Sequence, residues 1–108
     1  MRLRPRPWSV AIGGALLLCT SAAAAAPRTF TVVIEKMKFG PVPAPLHKGD
    51  SIVWVNRDFL RHTATATDRS FDVDLPAGAK AKTVLTKSGN IPFVCRFHPG
   101  MRGVLQVK

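Results

Sequence analysis

A chain of 108 residues holds one small domain, and 16 Lys and Arg against 6 Asp and Glu give it a formal net charge of +10. The basic residues are scattered, with no run of five or more, so a nucleic-acid-binding or membrane-binding tail is excluded as its organising feature. Its two cysteines are Cys19 and Cys95.

The first residues read as an address. Arg2, Arg4 and Arg6 make a positive start, Trp8 to Cys19 is apolar, and Thr20 to Ala26 offers small-residue cleavage sites. Residues 1–25 are therefore expected to be a removable signal peptide, cut after Ala24 or Ala25, and residues 26–108 the domain. The arginines are not adjacent, so a twin-arginine signal is not supported. Leu16 to Leu18 before Cys19 argues against lipidation. Thirteen basic and all six acidic residues lie beyond Ala25, so the domain stays cationic, and it retains one cysteine. It makes no internal disulfide, and a lone thiol in an oxidising compartment is a liability unless something occupies it. A bound metal would do so and would stabilise the fold.

Beyond the leader, turn signals recur at short intervals, from Gly40-Pro41 and Gly49-Asp50 to Ser88-Gly89-Asn90 and Pro99-Gly100. The pieces between them are short and rich in Val, Ile, Phe and Thr, and none sustains a helical repeat. This predicts an all-β sandwich or barrel. Phe30, Val32 and Ile34 share a face while Met37 and Phe39 have the opposite parity, which predicts a β-bulge near Glu35-Lys36. Ile52 to Val55 is apolar on both parities, as a central strand should be. His62, Ala64 and Ala66 alternate with Thr63, Thr65 and Thr67, so His62 is expected to point inward and the threonines out. Phe71, Val73 and Leu75 alternate with Asp72 and Asp74 in the manner of a half-solvated strand. Ile91, Phe93 and Cys95 share a face, which puts the thiol on the interior side at a strand end.

The strongest signal is Cys95-Arg96-Phe97-His98-Pro99-Gly100-Met101, one thiol, one imidazole and one thioether in a C-x-x-H-x-x-M loop. Soft sulfur ligands with imidazole suit copper, and two histidines, a cysteine and a weak axial methionine make the blue-copper set. His62 is placed to supply the second imidazole. His47 is expected to be a solvated turn residue; Trp54 and Met37 are expected in the core.

With His47-Lys48-Gly49-Asp50, Val53-Trp54-Val55-Asn56 and His62-Thr63, this loop resembles the small bacterial cupredoxins from about Thr29 to Lys108, and its length is most similar to the amicyanin type. The resemblance implies a Greek-key β-sandwich of about seven or eight strands. It also implies His62 and His98 as imidazole ligands, Cys95 as thiolate and Met101 as axial thioether to one copper ion. The function it implies is a monomeric periplasmic carrier that shuttles single electrons and is not an enzyme. The sequence departs from the amicyanin pattern at Thr63 and Arg96, where Asn and Thr or Ser usually link the two ligand-bearing segments. The expected partner is an acidic redox protein, a cytochrome or dehydrogenase, docking on an apolar patch around His98 drawn from Pro43, Pro45, Phe59, Pro99 and Gly100. Lys48, Arg57, Arg61, Arg96 and Arg102 are expected to ring that patch.

The main alternative is a copper chaperone or scavenger with the same ligands. Only Met37 and Met101 follow the leader, which argues against a Met-rich exchange site. A Cys–His nucleophile would still need an orienting group and a cleft. A structural zinc site favours more thiolates.

Overall fold

The structure, a computed structural model, describes residues 2–9, 11–18 and 25–108. Cys19 and Ala24, which carry the lipidation and cleavage expectations, lie outside the described residues. Residues 2–9, 11–18 and 25 form no strand or helix and are exposed. Among the described residues no helix is long and apolar enough to cross a membrane.

Eight strands form the domain: β1 (Thr29–Glu35), β2 (Lys38–Phe39), β3 (Ser51–Asn56), β4 (His62–Ala66), β5 (Asp72–Leu75), β6 (Lys80–Val84), β7 (Gly89–Val94) and β8 (Arg102–Val107). They make two four-stranded sheets, ordered β2-β1-β3-β6 and β5-β4-β7-β8, so the chain crosses between sheets after β3, β5 and β6 in Greek-key fashion. β1 and β3 pair in parallel, and every other pairing of strands is antiparallel. The expected all-β sandwich is what the chain forms.

Period-2 patterning explains the core. Val32 and Ile34 from β1, Ile52 and Trp54 from β3, Ala64 and Ala66 from β4, and Ile91 and Phe93 from β7 all turn inward and are buried. Phe93 lies at the centre, its ring edge-on to Phe39 at 4.8 Å and to Trp54 at 5.1 Å. Such pairs add about 0.5–1.5 kcal/mol each beyond their burial. The Trp54 indole N–H donates to Thr83 Oγ1 at 3.0 Å, so the one polar atom of that ring is satisfied.

Two expectations are corrected. No bulge interrupts β1: Ile34 pairs with Phe39 and Glu35 with Lys38, so Lys36-Met37 is a two-residue hairpin turn. Both turn residues have positive φ, 53° and 60°, the backbone of the tight turn that suits strand twist. Met37 therefore stands at the surface and is not a core residue. Thr63 and Thr65 do face away from the core, but they are fully buried, because Arg96 and β5 cover them.

Candidate metal centre

β4 and β7 are hydrogen-bonded neighbours, with Thr65 opposite Val94 and Ala66 opposite Phe93. That register carries the start of β4, His62, to the residue just past β7, Cys95. The loop from Cys95 to β8 closes in short steps. His98 N–H donates to the Cys95 carbonyl at 3.4 Å, Met101 N–H to that of His98 at 2.9 Å, and Cys95 N–H to that of Met101 at 3.0 Å. Pro99-Gly100 supplies the turn, and His98 is thereby folded back over the thiol.

The outcome is a triangle of three atoms. His62 Nδ1 and His98 Nδ1 are 3.2 Å apart, Cys95 Sγ and His98 Nδ1 3.4 Å, and Cys95 Sγ and His62 Nδ1 3.8 Å. A triangle with those sides has a circumradius of about 2 Å, the length of a bond from a first-row divalent ion to imidazole nitrogen. The residues present thus fit a trigonal His₂Cys site able to hold one copper. His62, Cys95 and Met101 are buried and His98 is half-buried, so of these four side chains His98 is the most open to solvent. Met101 is brought to the same end of the sandwich by the loop closure; with the triangle it completes a type 1 copper-like set.

The supports of the triangle come from several elements. His62 Nε2 lies 2.8 Å from Asp58 Oδ2, so the ring proton belongs on Nε2 and the Nδ1 lone pair is free. Asp58 also accepts the N–H groups of Lys36 at 2.7 Å and Met37 at 3.0 Å, fixing the left-handed hairpin turn. Burial, the largest single influence on it, pushes its carboxyl up. The Met37 N–H, the His62 ring and the Lys36 N–H outweigh that and hold it below the usual range. Asn56, buried at the end of β3, sets the loop that carries Asp58. Its amide donates to the carbonyls of Leu60 at 2.8 Å and Leu75 at 2.9 Å, and its Oδ1 accepts the Asp58 N–H at 2.9 Å. The Thr63 N–H points at Cys95 Sγ from 3.4 Å, and the Arg96 N–H donates back to Thr63 Oγ1 at 2.9 Å.

The four residues singled out from the sequence, His62, Cys95, His98 and Met101, are at one pole. His47 is at the other, its side chain exposed and its N–H donating to Asp50 at 2.9 Å. The expected surroundings of His98 are corrected in part. Pro45 borders a cavity with Gly89, Asn90 and Lys108, at the start of β7 and the end of β8, and Lys48 lies beside His47; both are far from the thiol. Pro43 packs along β8 by Val104 and Gln106. The hollow at His98 is lined instead by Met37, Lys38, Phe97, Pro99, Gly100 and Met101, with Phe59 fully exposed at the end of the domain where β4 starts. Arg61 is paired with Asp74 through two short contacts, 2.7 and 2.6 Å, which raises the affinity of the guanidinium for its proton and lowers that of the carboxyl. Arg96 is paired with Asp72 at 3.4 Å, and both guanidinium groups lie over the Phe97 ring.

Sequence reasoning missed Asp58, Met37, Lys38 and Phe97. A carboxylate four residues before a candidate ligand histidine was the available signal for Asp58; the hairpin pair could be found only through its register.

No curated protein sequence matches the chain. Among solved structures, the reduced state of an amicyanin proline-to-phenylalanine variant is 27% identical, over 74% of this chain and 82% of that one, with a TM-score of 0.59. A purple cupredoxin from Nitrosopumilus maritimus aligns at a TM-score of 0.63 over 72% of this chain and 98% of its own, and at 19% identity it speaks to the fold alone. A copper-containing nitrite reductase from Thermus scotoductus is 25% identical over 84% of this chain but only 25% of the enzyme, with a TM-score of 0.62. The model of the cupredoxin-like domain matches residues 9–107, nearly the whole sequence, and with the fold and the His–Cys–His triangle it makes this chain a member of the cupredoxin-like domain family.

Proposed function

We propose that this protein is an exported blue copper protein that carries single electrons between redox partners. The observation that carries the reading is the triangle of His62 Nδ1, Cys95 Sγ and His98 Nδ1, whose sides of 3.2, 3.4 and 3.8 Å leave room for one copper ion and little else. His62, Cys95 and His98 would hold the ion, with Met101 as axial thioether. Copper would supply a one-electron Cu(I)/Cu(II) couple.

The chain's own residues supply the rest. Asp58 holds the His62 ring, and Thr63 holds the thiol from behind, so the ligands are oriented before metal arrives. The buried faces exclude water. His98 is the one ligand among the three that reaches the surface, through the apolar hollow with Phe97, Pro99 and Gly100, and so offers the route for the electron. A small apolar contact of this kind suits short-lived redox encounters.

Two arginines expected to steer an acidic partner are neutralised by Asp72 and Asp74. Steering therefore rests on Lys38, Arg57 and Arg102. Arg102→Glu should slow electron transfer at low salt and leave the copper spectrum intact. The leader, residues 1–25, directs export to a bacterial periplasm, where it is removed and a monomeric carrier remains.

The test is to load the metal-free protein with Cu(II). An intense thiolate-to-copper band in the visible, its loss in Cys95→Ala, and a reversible one-electron wave with copper retained in both states are expected. A colourless protein would refute the site. Release of copper on reduction would favour delivery of copper over transport of electrons.

A further inference from the structure

Thr63 stands where the two metal-binding stretches meet, and it replaces the asparagine usual in the amicyanin pattern. Its hydroxyl is part of a ring of contacts that runs through β4, β5 and the turn after β7. The Arg96 N–H donates to Thr63 Oγ1 at 2.9 Å; Thr63 Oγ1 and Thr65 Oγ1 are 3.0 Å apart; Thr65 Oγ1 lies 2.7 Å from Asp72 Oδ1. The Arg96 guanidinium, 3.4 Å from the same carboxylate oxygen, closes the circuit.

Counting protons gives this ring a direction. An ionised Asp72 accepts only, so Thr65 must spend its single hydroxyl proton on it. Thr65 then faces Thr63 with a lone pair, and Thr63 donates to that. The remaining lone pairs of Thr63 are left for the Arg96 N–H. Every hydroxyl is thereby fixed, at a place where Thr63 and Thr65 are 0% and 3% exposed and water cannot substitute. The same Thr63 presents its N–H to Cys95 Sγ at 3.4 Å. The register explains why the chain can do this: Thr65 is opposite Asp72 on β5 and opposite Val94 on β7, two residues before Arg96.

We propose that Asp72 is a positioning residue for the metal centre, orienting Thr65 and Thr63 so that the cysteine and first-histidine segments are clasped and the thiolate keeps its backbone donor. This rests on the copper reading for its effect on the metal, but the clasp itself is a property of the metal-free chain. The Asp72–Arg96 pair at the surface is then more than a solubility device, since it terminates a buried chain of hydroxyls at the site.

The experiment compares Thr65→Val, Thr65→Ser and Asp72→Asn in the full chain. In the metal-free protein, hydrogen exchange of the Arg96 amide should quicken about tenfold in Thr65→Val, in proportion to a lost buried hydrogen bond. Thr65→Ser should restore it, and Asp72→Asn should show a smaller change in the same direction. In the copper-loaded protein, Thr65→Val should weaken copper binding on the order of tenfold and move the reduction potential downward, because a thiolate held less firmly by its donor favours the oxidised ion. Arg96 exchange, copper affinity and potential all unchanged in Thr65→Val and Asp72→Asn would overturn the proposal. Should Thr65→Val fail to fold, Asp72→Asn, altered at a partly exposed position, gives the same comparison. A wild-type protein without the visible copper band would sink the copper reading, and the Arg96 exchange rates alone would then decide the clasp.

Discussion

Gly103 and Phe93 are opposite one another on β8 and β7, and the ring of Phe93 occupies the space where a side chain at 103 would stand. A Cβ built on Gly103 would come within 2.9 Å of Phe93 Cε1 and 3.1 Å of Cε2, with the ring tip nearer still. The ring cannot retreat, because Phe39 and Trp54 hold its other sides. Gly103→Ala must therefore push β8 outward or force Phe93 off its rotamer, an overpacking cost of about 1–3 kcal/mol. At about 2 kcal/mol the melting temperature of a domain this size falls by about 8–16 °C. The consequence extends to the metal end, since Phe93 is two residues before Cys95, Gly103 two after Met101, and the Cys95 N–H to Met101 carbonyl bond spans the gap. Calorimetry or thermal melting on metal-free Gly103→Ala, Phe93→Leu and the double variant checks the argument. The two changes should be strongly non-additive, the double variant recovering much of the loss from Gly103→Ala. Strict additivity, or an unchanged melting temperature in Gly103→Ala, would show that the ring is not confined as described.

Two further outcomes follow from the carboxylates. Asp58→Ala removes the acceptor of the buried His62 Nε2 and of two turn amides, so it should cost about 2 kcal/mol in urea unfolding and weaken copper binding by about 10–100-fold in chelator competition; unaltered affinity would exclude it as the orienting group. The acid limb should draw on Asp50 and Asp74 together with Asp58 and Asp68: the Arg28 and His47 N–H groups hold Asp50 below its ordinary 3.8, Arg61 does so for Asp74, and Lys87 and Ser70 do so for Asp68. Depressed folded values mean that the unfolded chain binds more protons, so this stability is fully present above pH 3.8 and is lost as pH falls through the lower folded values. The urea midpoint followed into acid should fall less steeply in Asp50→Asn than in wild type.

What the sequence made legible depended on how far apart the cooperating residues are. Cys95, His98 and Met101 share one seven-residue loop, so chemistry and spacing could be read together. His62 followed from strand parity, which says which face a side chain takes. Parity does not say which strand lies alongside, and the surroundings of the site were lost there. That Asp58 reaches the Lys36-Met37 turn depends on β1 and β3 running parallel to the same pole. The turn itself looked like a bulge because neither Lys nor Met signals positive φ; Asp58 offsets that cost from outside the hairpin. The charges teach the same lesson. Arg61 and Arg96 read as free cations on a basic chain, yet the register of β4 with β5 puts Thr63 opposite Asp74 and Thr65 opposite Asp72, delivering a carboxylate to each arginine. The pairing of β4 with β5 thus removes two positive charges from the rim beside the ligands that the pairing of β4 with β7 assembles. A net charge read from composition therefore overstates the free positive charge near His98, where Arg61 and Arg96 are each paired with a carboxylate over the Phe97 ring.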